Sequence, residues 1–197
     1  MNWIVIVLIL IAAFGPVLWI LPSRRDRRLA KMRSRARVLG MQVELTQLPD
    51  LAAEPTARVT AGGRRLEPML SCAVYRLPML QPARAAPHWR LLRSASDAAG
   101  PHAGWQWDSP VVGDGGYWRT ISAVLDELPV DALACSAQAT EVACWWLERA
   151  PAETAEAAVD SLHVVLRKLS EVQRVADAAK QLVDGAADPD GHPTDDG

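Results

Sequence analysis

The stretch DALACSAQATEVACWWLE, residues 131 to 148, decides the fold class. Asp131 to Ala137 and Glu141 to Glu148 flank Gln138-Ala139-Thr140, the pattern of two strands joined in a hairpin. The second arm is apolar on both alternating faces, which suits a central strand covered on both sides or a face awaiting a partner. Immediately downstream the period changes. Ala155, Ala158, Val159, Leu162, Val165, Leu166, Leu169 and Val172 form one broad helical stripe, resumed by Val175, Ala176, Ala179, Leu182 and Val183. Pro151, Glu153 and Glu156 suit the start of that helix, and Gly185 is expected to stop it. A hairpin followed by a long amphipathic helix predicts an α+β domain.

Upstream, the same two periods alternate. Met41, Val43 and Leu45 are interleaved with Gln42, Glu44 and Thr46, as in a half-buried strand. Cys72 to Leu77, His88 to Arg93 and Gly104 to Asp108 predict three more strands. The segment from 49 to 69, rich in Pro, Ala, Gly and Arg, is expected to be irregular, with a turn at Gly62-Gly63. Trp118, Ile121, Val124, Leu125 and Leu128 then share one helix face, stopped by Pro129. The predicted order is ββββαββα, an antiparallel sheet with two packed helices. A helix over 152–183 would be about 48 Å long. Its first half is therefore expected to dock on the sheet and its second half to project as a coiled-coil or partner segment.

The N-terminal end has a different chemistry. Residues 3 to 22, WIVIVLILIAAFGPVLWILP, carry no charge, and SRRDRRLAKMRSRAR follows at once. An uncharged run of this length predicts one transmembrane helix at 1–22. The residues after Leu21 do not suit a signal-peptide cleavage site. Arg24, Arg25, Arg27, Arg28, Lys31, Arg33, Arg35 and Arg37 all lie on its C-terminal side. The positive-inside rule therefore places the N-terminus in the periplasm and the body in the cytoplasm of a bacterial inner membrane. Leu29, Met32, Ala36 and Leu39 recur at helical spacing, which predicts a basic juxtamembrane helix over 23–39 whose eight cations bind the anionic inner leaflet. Nucleic acid is disfavoured as its partner, because lipid phosphates are adjacent and no aromatic residue is interleaved. After residue 38 the chain has 13 Lys/Arg against 22 Asp/Glu, so the body is acidic. A cytoplasmic domain at 40–184 and a disordered acidic tail at 185–197 complete the expected organisation.

No stretch carries a recognisable catalytic motif. His88, His102, His163 and His192 have no ligand-spaced partner, and the three cysteines, Cys72, Cys135 and Cys144, lie in apolar runs as buried thiols would. Gly113-Asp114-Gly115-Gly116 precedes a helix but lacks the lysine of a phosphate loop, and Asp114 would repel phosphate. No cofactor or metal is expected. Six tryptophans follow the span, and with Phe14 as the chain's one phenylalanine they must supply core bulk. Trp145 and Trp146 are adjacent on one strand and must point to opposite faces. One of them is expected on the less buried face, as a candidate partner-binding site.

The junction LWILPSRRDRRLAKMRSRARVLGMQVEL resembles the YajC family, an accessory subunit of the bacterial Sec preprotein translocase. The likeness covers residues 1 to 48: an apolar span, a proline followed by a basic helix, and a Gly-led strand. It departs where that family carries a G-D-E-V-V-T-like strand and a compact β domain. The chain as a whole also resembles single-span inner-membrane proteins of proteobacteria with a Trp-rich α+β body. The resemblance implies a place beside the translocase. The residues themselves predict a non-enzymatic membrane-anchored domain that binds a protein. The rival class is a small-molecule binder or enzyme with a pocket lined by Trp89, Trp105 or Trp107.

Overall fold

A computed structural model describes Trp3 and residues 23–50, 58–59, 65–66, 68–94, 100–108, 114–151 and 153–187. The predicted span at 1–22 lies outside these residues except for Trp3. No helix among the described residues is long and apolar enough to cross a membrane. The order of elements is α1 (Arg24–Val38), β1 (Gln42–Pro49), β2 (Arg58–Val59), β3 (Arg65–Leu66), β4 (Met69–Pro78), β5 (Trp89–Arg93), β6 (Trp105–Trp107), α2 (Gly115–Leu125), β7 (Ala132–Ala137), β8 (Glu141–Trp146) and α3 (Ala155–Ala187). The α+β class and the ββββαββα succession of long elements are as the periodicities predict. Two short strands and one packed helix are added to them.

Six strands form one antiparallel sheet in the order β1-β4-β8-β7-β5-β6. The hairpin of β7 and β8 therefore sits at the centre, which is why β8 is apolar on both faces. Strand alternation divides the sheet cleanly. Tyr75, Trp89, Leu91, Cys135, Cys144 and Trp146 lie on the face that meets buried residues of all three helices, among them Met32, Ile121, Leu162, Leu166 and Leu169. Cys72, Val74, Leu92, Ala134, Ala143 and Trp145 form a second buried cluster that includes no helical residue.

The 49–69 segment is not wholly irregular. β2 and β3 pair antiparallel, with Arg58 opposite Leu66 and Val59 opposite Arg65. Strands this short have no alternation to read, and Gly62-Gly63 lies outside the described residues. Gly185 does not end α3, which runs to Ala187. A glycine in a helix interior costs only about 1 kcal/mol relative to Ala. Residues 188–197 of the predicted tail lie outside the described residues. The first half of α3 docks as expected, but docking continues into the second half, and the projecting part is confined to its last turns. Ala155, Val159, Leu162, Leu166, Leu169, Gln173 and Asp177 are buried, whereas 178–186 are exposed throughout.

The basic helix packs on the body of the domain: Met32 and Ala36 are completely buried in the same core as α3. Its apolar stripe faces the protein core. Ser23 and Asp26 form a capping box at its start. At its end Gly40 takes φ +79°, a conformation that favours glycine, and the Met41 N–H donates to the Ala36 carbonyl. The chain thus reverses, and β1 returns alongside α1.

Candidate functional site

The junction of α1 with the ends of β4 and β8 carries the strongest concentration of polar chemistry. Glu148, just past β8, is buried and has φ +56°, in the left-handed region that costs a non-glycine residue about 1–2 kcal/mol. Its carbonyl and both carboxylate oxygens are engaged. Arg33 donates Nε to Oε1 at 3.0 Å and Nη2 to Oε2 at 2.5 Å, a bidentate pair. The Tyr75 hydroxyl donates to Oε1 at 2.7 Å. Arg28 Nη2 donates to the Glu148 carbonyl at 3.1 Å. Two arginines from one face of α1 and a sheet tyrosine therefore fix one strained residue, and that residue fixes α1. Burial and the neighbouring Glu148 carboxylate both push the Tyr75 hydroxyl well above its ordinary range. The Glu148 carboxylate holds the Arg33 guanidinium still more firmly protonated.

A third arginine of the helix also turns inward. Arg35 makes a bidentate pair with Asp160 on α3, at 2.7 and 3.2 Å. The eight cations predicted to bind the leaflet thus separate into two groups. Arg28, Arg33 and Arg35 bind the domain itself. Arg24, Arg25, Arg27, Lys31 and Arg37 are exposed, most of them on the half of α1 opposite Met32 and Ala36. Arg28, Arg33 and Arg35 each donate to a protein acceptor, and the Arg35–Asp160 pair remains 38% and 43% exposed. Sequence could not have made this division. The acceptors lie more than a hundred residues away, and only the position of each arginine relative to the buried stripe hints at it.

Beside the clamp is an open groove of about 350 Å³, lined by Arg25, Leu29, Leu45, Gln47, Leu147 and Glu148 among others. Leu45 is 66% exposed although it lies on the helix-covered face of the sheet. Its strand, β1, is the outermost of the sheet, and α1 turns its buried face toward the core and α3 instead of covering it.

The tryptophans serve packing. Trp89 and Trp105 are buried, and Trp118 meets Trp89, Trp107 and Tyr117 edge-on at centroid distances of 5.9, 4.6 and 4.8 Å. Trp145 and Trp146 do point to opposite faces of β8, and both are buried, with 8% and 1% of their surface accessible. Trp146 faces the helices and donates its indole N–H to Asp131 Oδ1 at 2.6 Å. Trp145 does lie on the helix-free face, but the Arg90 guanidinium is stacked over its ring at 4.5 Å, and Val74 pairs opposite it. The groove beside the clamp is not lined by Trp89, Trp105 or Trp107.

A second polar network joins β5, α2 and α3. Trp89 Nε1 donates to the Tyr117 hydroxyl at 2.5 Å, which donates to Gln173 Oε1 at 3.0 Å. Gln173 Nε2 in turn donates to the Pro87 carbonyl at 2.9 Å. Every buried member is satisfied without a charge, and burial pushes the Tyr117 hydroxyl upward.

Other candidate chemistry is sparse. Cys135 and Cys144 face one another across β7 and β8, both wholly buried, and burial pushes the Cys135 thiol up to about 12 and the Cys144 thiol well upward. They are inert thiols at neutral pH. His102 pairs with Asp126 at 2.8 Å, and His163 lies on α3 where burial and Arg167 lower its affinity for a proton. Asp114 precedes the first turn of α2 without a side-chain capping bond, and Gly115 and Gly116 open that helix. Among the described residues no group of His, Cys, Asp or Glu could hold a metal ion. Comparison of the chain with protein-family models, curated proteins and solved structures finds no match.

Proposed function

We propose that this chain is a non-enzymatic, single-span inner-membrane protein whose cytoplasmic α+β domain is held at the anionic leaflet and binds another protein. The observation that carries the reading is the division of the basic helix. Three arginines lock α1 into the domain, while five cations directly following the apolar run of 3–22 remain exposed. A helix fixed to its domain gives the domain one orientation relative to whatever its outer face meets. Each exposed Lys or Arg near an anionic surface contributes about 1 kcal/mol. The acidic remainder of the chain is repelled by such a surface, so the outward cations set the attachment. Attachment to the preprotein translocase is the more specific form of the same reading and rests on the resemblance of residues 1 to 48.

Topology and partnership are tested together in intact cells. A reporter fused after Gly197 is expected to be active only in the cytoplasm, and the full chain is expected to resist alkaline extraction from membranes. Crosslinking in those membranes is expected to capture a protein partner, and recovery of Sec channel subunits would select the translocase form. A soluble full chain, or a reporter active only in the periplasm, would overturn the reading.

A further inference from the structure

We infer that the end of the sheet beside the start of α1 makes a second lipid contact, in which Arg149 meets phospholipid phosphates and Val130 enters the acyl boundary beneath them. The inference rests on the membrane-anchored reading above and adds to it a contact drawn from outside the basic helix.

The chain reverses at Gly40 between α1 and β1, so the first turn of α1 lies at the end of the sheet where β1 finishes. β8 finishes at the same end, since β4 pairs antiparallel with both strands. Contacts agree with this placement. Arg28 donates to the Glu148 carbonyl, and Arg25 lines a groove with Leu147 and Glu148. Arg28 stands only about 8 Å of helix rise beyond Ser23. Helical side chains lean toward the N-terminus, so Glu148 sits on the leaflet side of that level. An apolar run that ends at residue 22 therefore leaves the end of β8 within a Debye length, about 8–10 Å, of the leaflet.

The residues exposed at this end suit a lipid surface. Past the left-handed turn at Glu148, Arg149 is exposed, and its guanidinium has no partner among the described residues. The Arg149 N–H donates to Asp131 Oδ2 at 2.8 Å, and the Leu147 N–H donates to the Asp131 carbonyl at 3.3 Å. Val130, one residue before Asp131, is 90% exposed, so a free cation and an aliphatic side chain are fixed beside one another. The other Asp131 oxygen accepts from Trp146 Nε1 at 2.6 Å, which leaves the Arg149 guanidinium as the outward charge of this turn. Arg24, Arg25 and Arg27 are exposed on the neighbouring first turns of α1. Charge and place select the occupant. Cations around an aliphatic tip match phosphates above an acyl boundary, and the end of the apolar run brings the bilayer here before any other partner.

The test uses the full chain in nanodiscs of phosphatidylcholine, with or without phosphatidylglycerol, carrying a photo-crosslinking residue at position 25, 130, 149 or 182 in turn. Mass spectrometry is expected to find lipid adducts from 25, 130 and 149 and none from 182, on the exposed end of α3. In discs with phosphatidylglycerol, Arg149→Gln should lower the lipid yield at 130 about fivefold, and Arg149→Lys should restore it. Omitting phosphatidylglycerol should lower the same yield. Lipid adducts from 25 alone overturn the second contact and leave the membrane anchor standing. Lipid adducts from none of the four positions overturn the anchor as well. Protein captured in place of lipid at 130 and 149, a lipid yield at 182 equal to that at 130, or a yield at 130 indifferent to both lipid charge and Arg149→Gln would each overturn the inference.

Discussion

Two buried polar networks hold helices to one face of the same sheet, and they do so by opposite means. The clamp around Glu148 is ionic, draws on a backbone in the left-handed region, and reaches the surface, where the Arg33 side chain retains 25% exposure. The network of Trp89, Tyr117 and Gln173 is neutral, unstrained and fully enclosed at Gln173. The contrast shows where a domain of this size tolerates charge. A carboxylate can be buried where its partner guanidinium stays partly solvated and every oxygen is bonded. Deeper in, the same tying function is performed by an amide and a hydroxyl.

The sharpest way to compare the networks is alkali, since each contains one of the chain's two tyrosines. Tyr75 and Tyr117 are both raised when folded, as are Cys72, Cys135 and Cys144. A raised group contributes stability in full below its unfolded pKa and loses it as pH climbs toward the folded value. Unfolded thiols ionise near 8.5 and unfolded tyrosines near 10. Stability should therefore fall from about pH 8.5 upward, by about 1.4 kcal/mol per pH unit for each group still protonated in the fold. Urea titrations at stepped pH measure it, and Tyr75→Phe or Tyr117→Phe should each flatten the portion above pH 10. A flat profile to pH 11 would contradict the burial of all five groups.

At neutral pH the ionic clamp should be the more sensitive. Glu148→Ala removes both acceptor oxygens while leaving Arg33 and Tyr75 in place, and is expected to cost about 3 kcal/mol, discounted from a fully buried pair for the solvation of Arg33. Relief at φ +56° is no compensation, because alanine is strained there too. Tyr117→Phe leaves the Trp89 N–H and Gln173 Oε1 without their shared hydroxyl and should cost about 1–2 kcal/mol. If it costs as much as Glu148→Ala, the ranking of charge over neutrality fails. The smallest effect belongs outside both networks. Lys168 and Glu127 meet at 2.6 Å, but both side chains are nearly half exposed. Lys168→Ala should change stability by about 0.5 kcal/mol or less.

How much of this could be read from the chain depends on the range of the interaction. Local periodicity located the long strands, both long helices and the central hairpin, because alternation at 41–46 and the stripe at 155–172 are properties of neighbouring residues. The α1 stripe was equally legible, yet spacing alone does not say whether Leu29, Met32 and Ala36 face lipid or protein. The β2–β3 pair left no signature in four residues. The Glu148 clamp was invisible, since its members are separated by up to 120 positions and nothing local marks Glu148 for a left-handed turn. The burial of Trp145 depended likewise on Arg90, an exposed-looking residue of a different strand.

The strand order also sets a timetable. β8, which joins β4 to the rest of the sheet, is the last strand among the described residues, and the helix that covers it comes later still. A ribosome adding about 5–20 residues per second completes β4 several seconds before β8 exists to stand beside it. During that interval β4 has only β1 for company, and β5 has only β6. Assembly of the sheet must therefore await nearly the entire polypeptide.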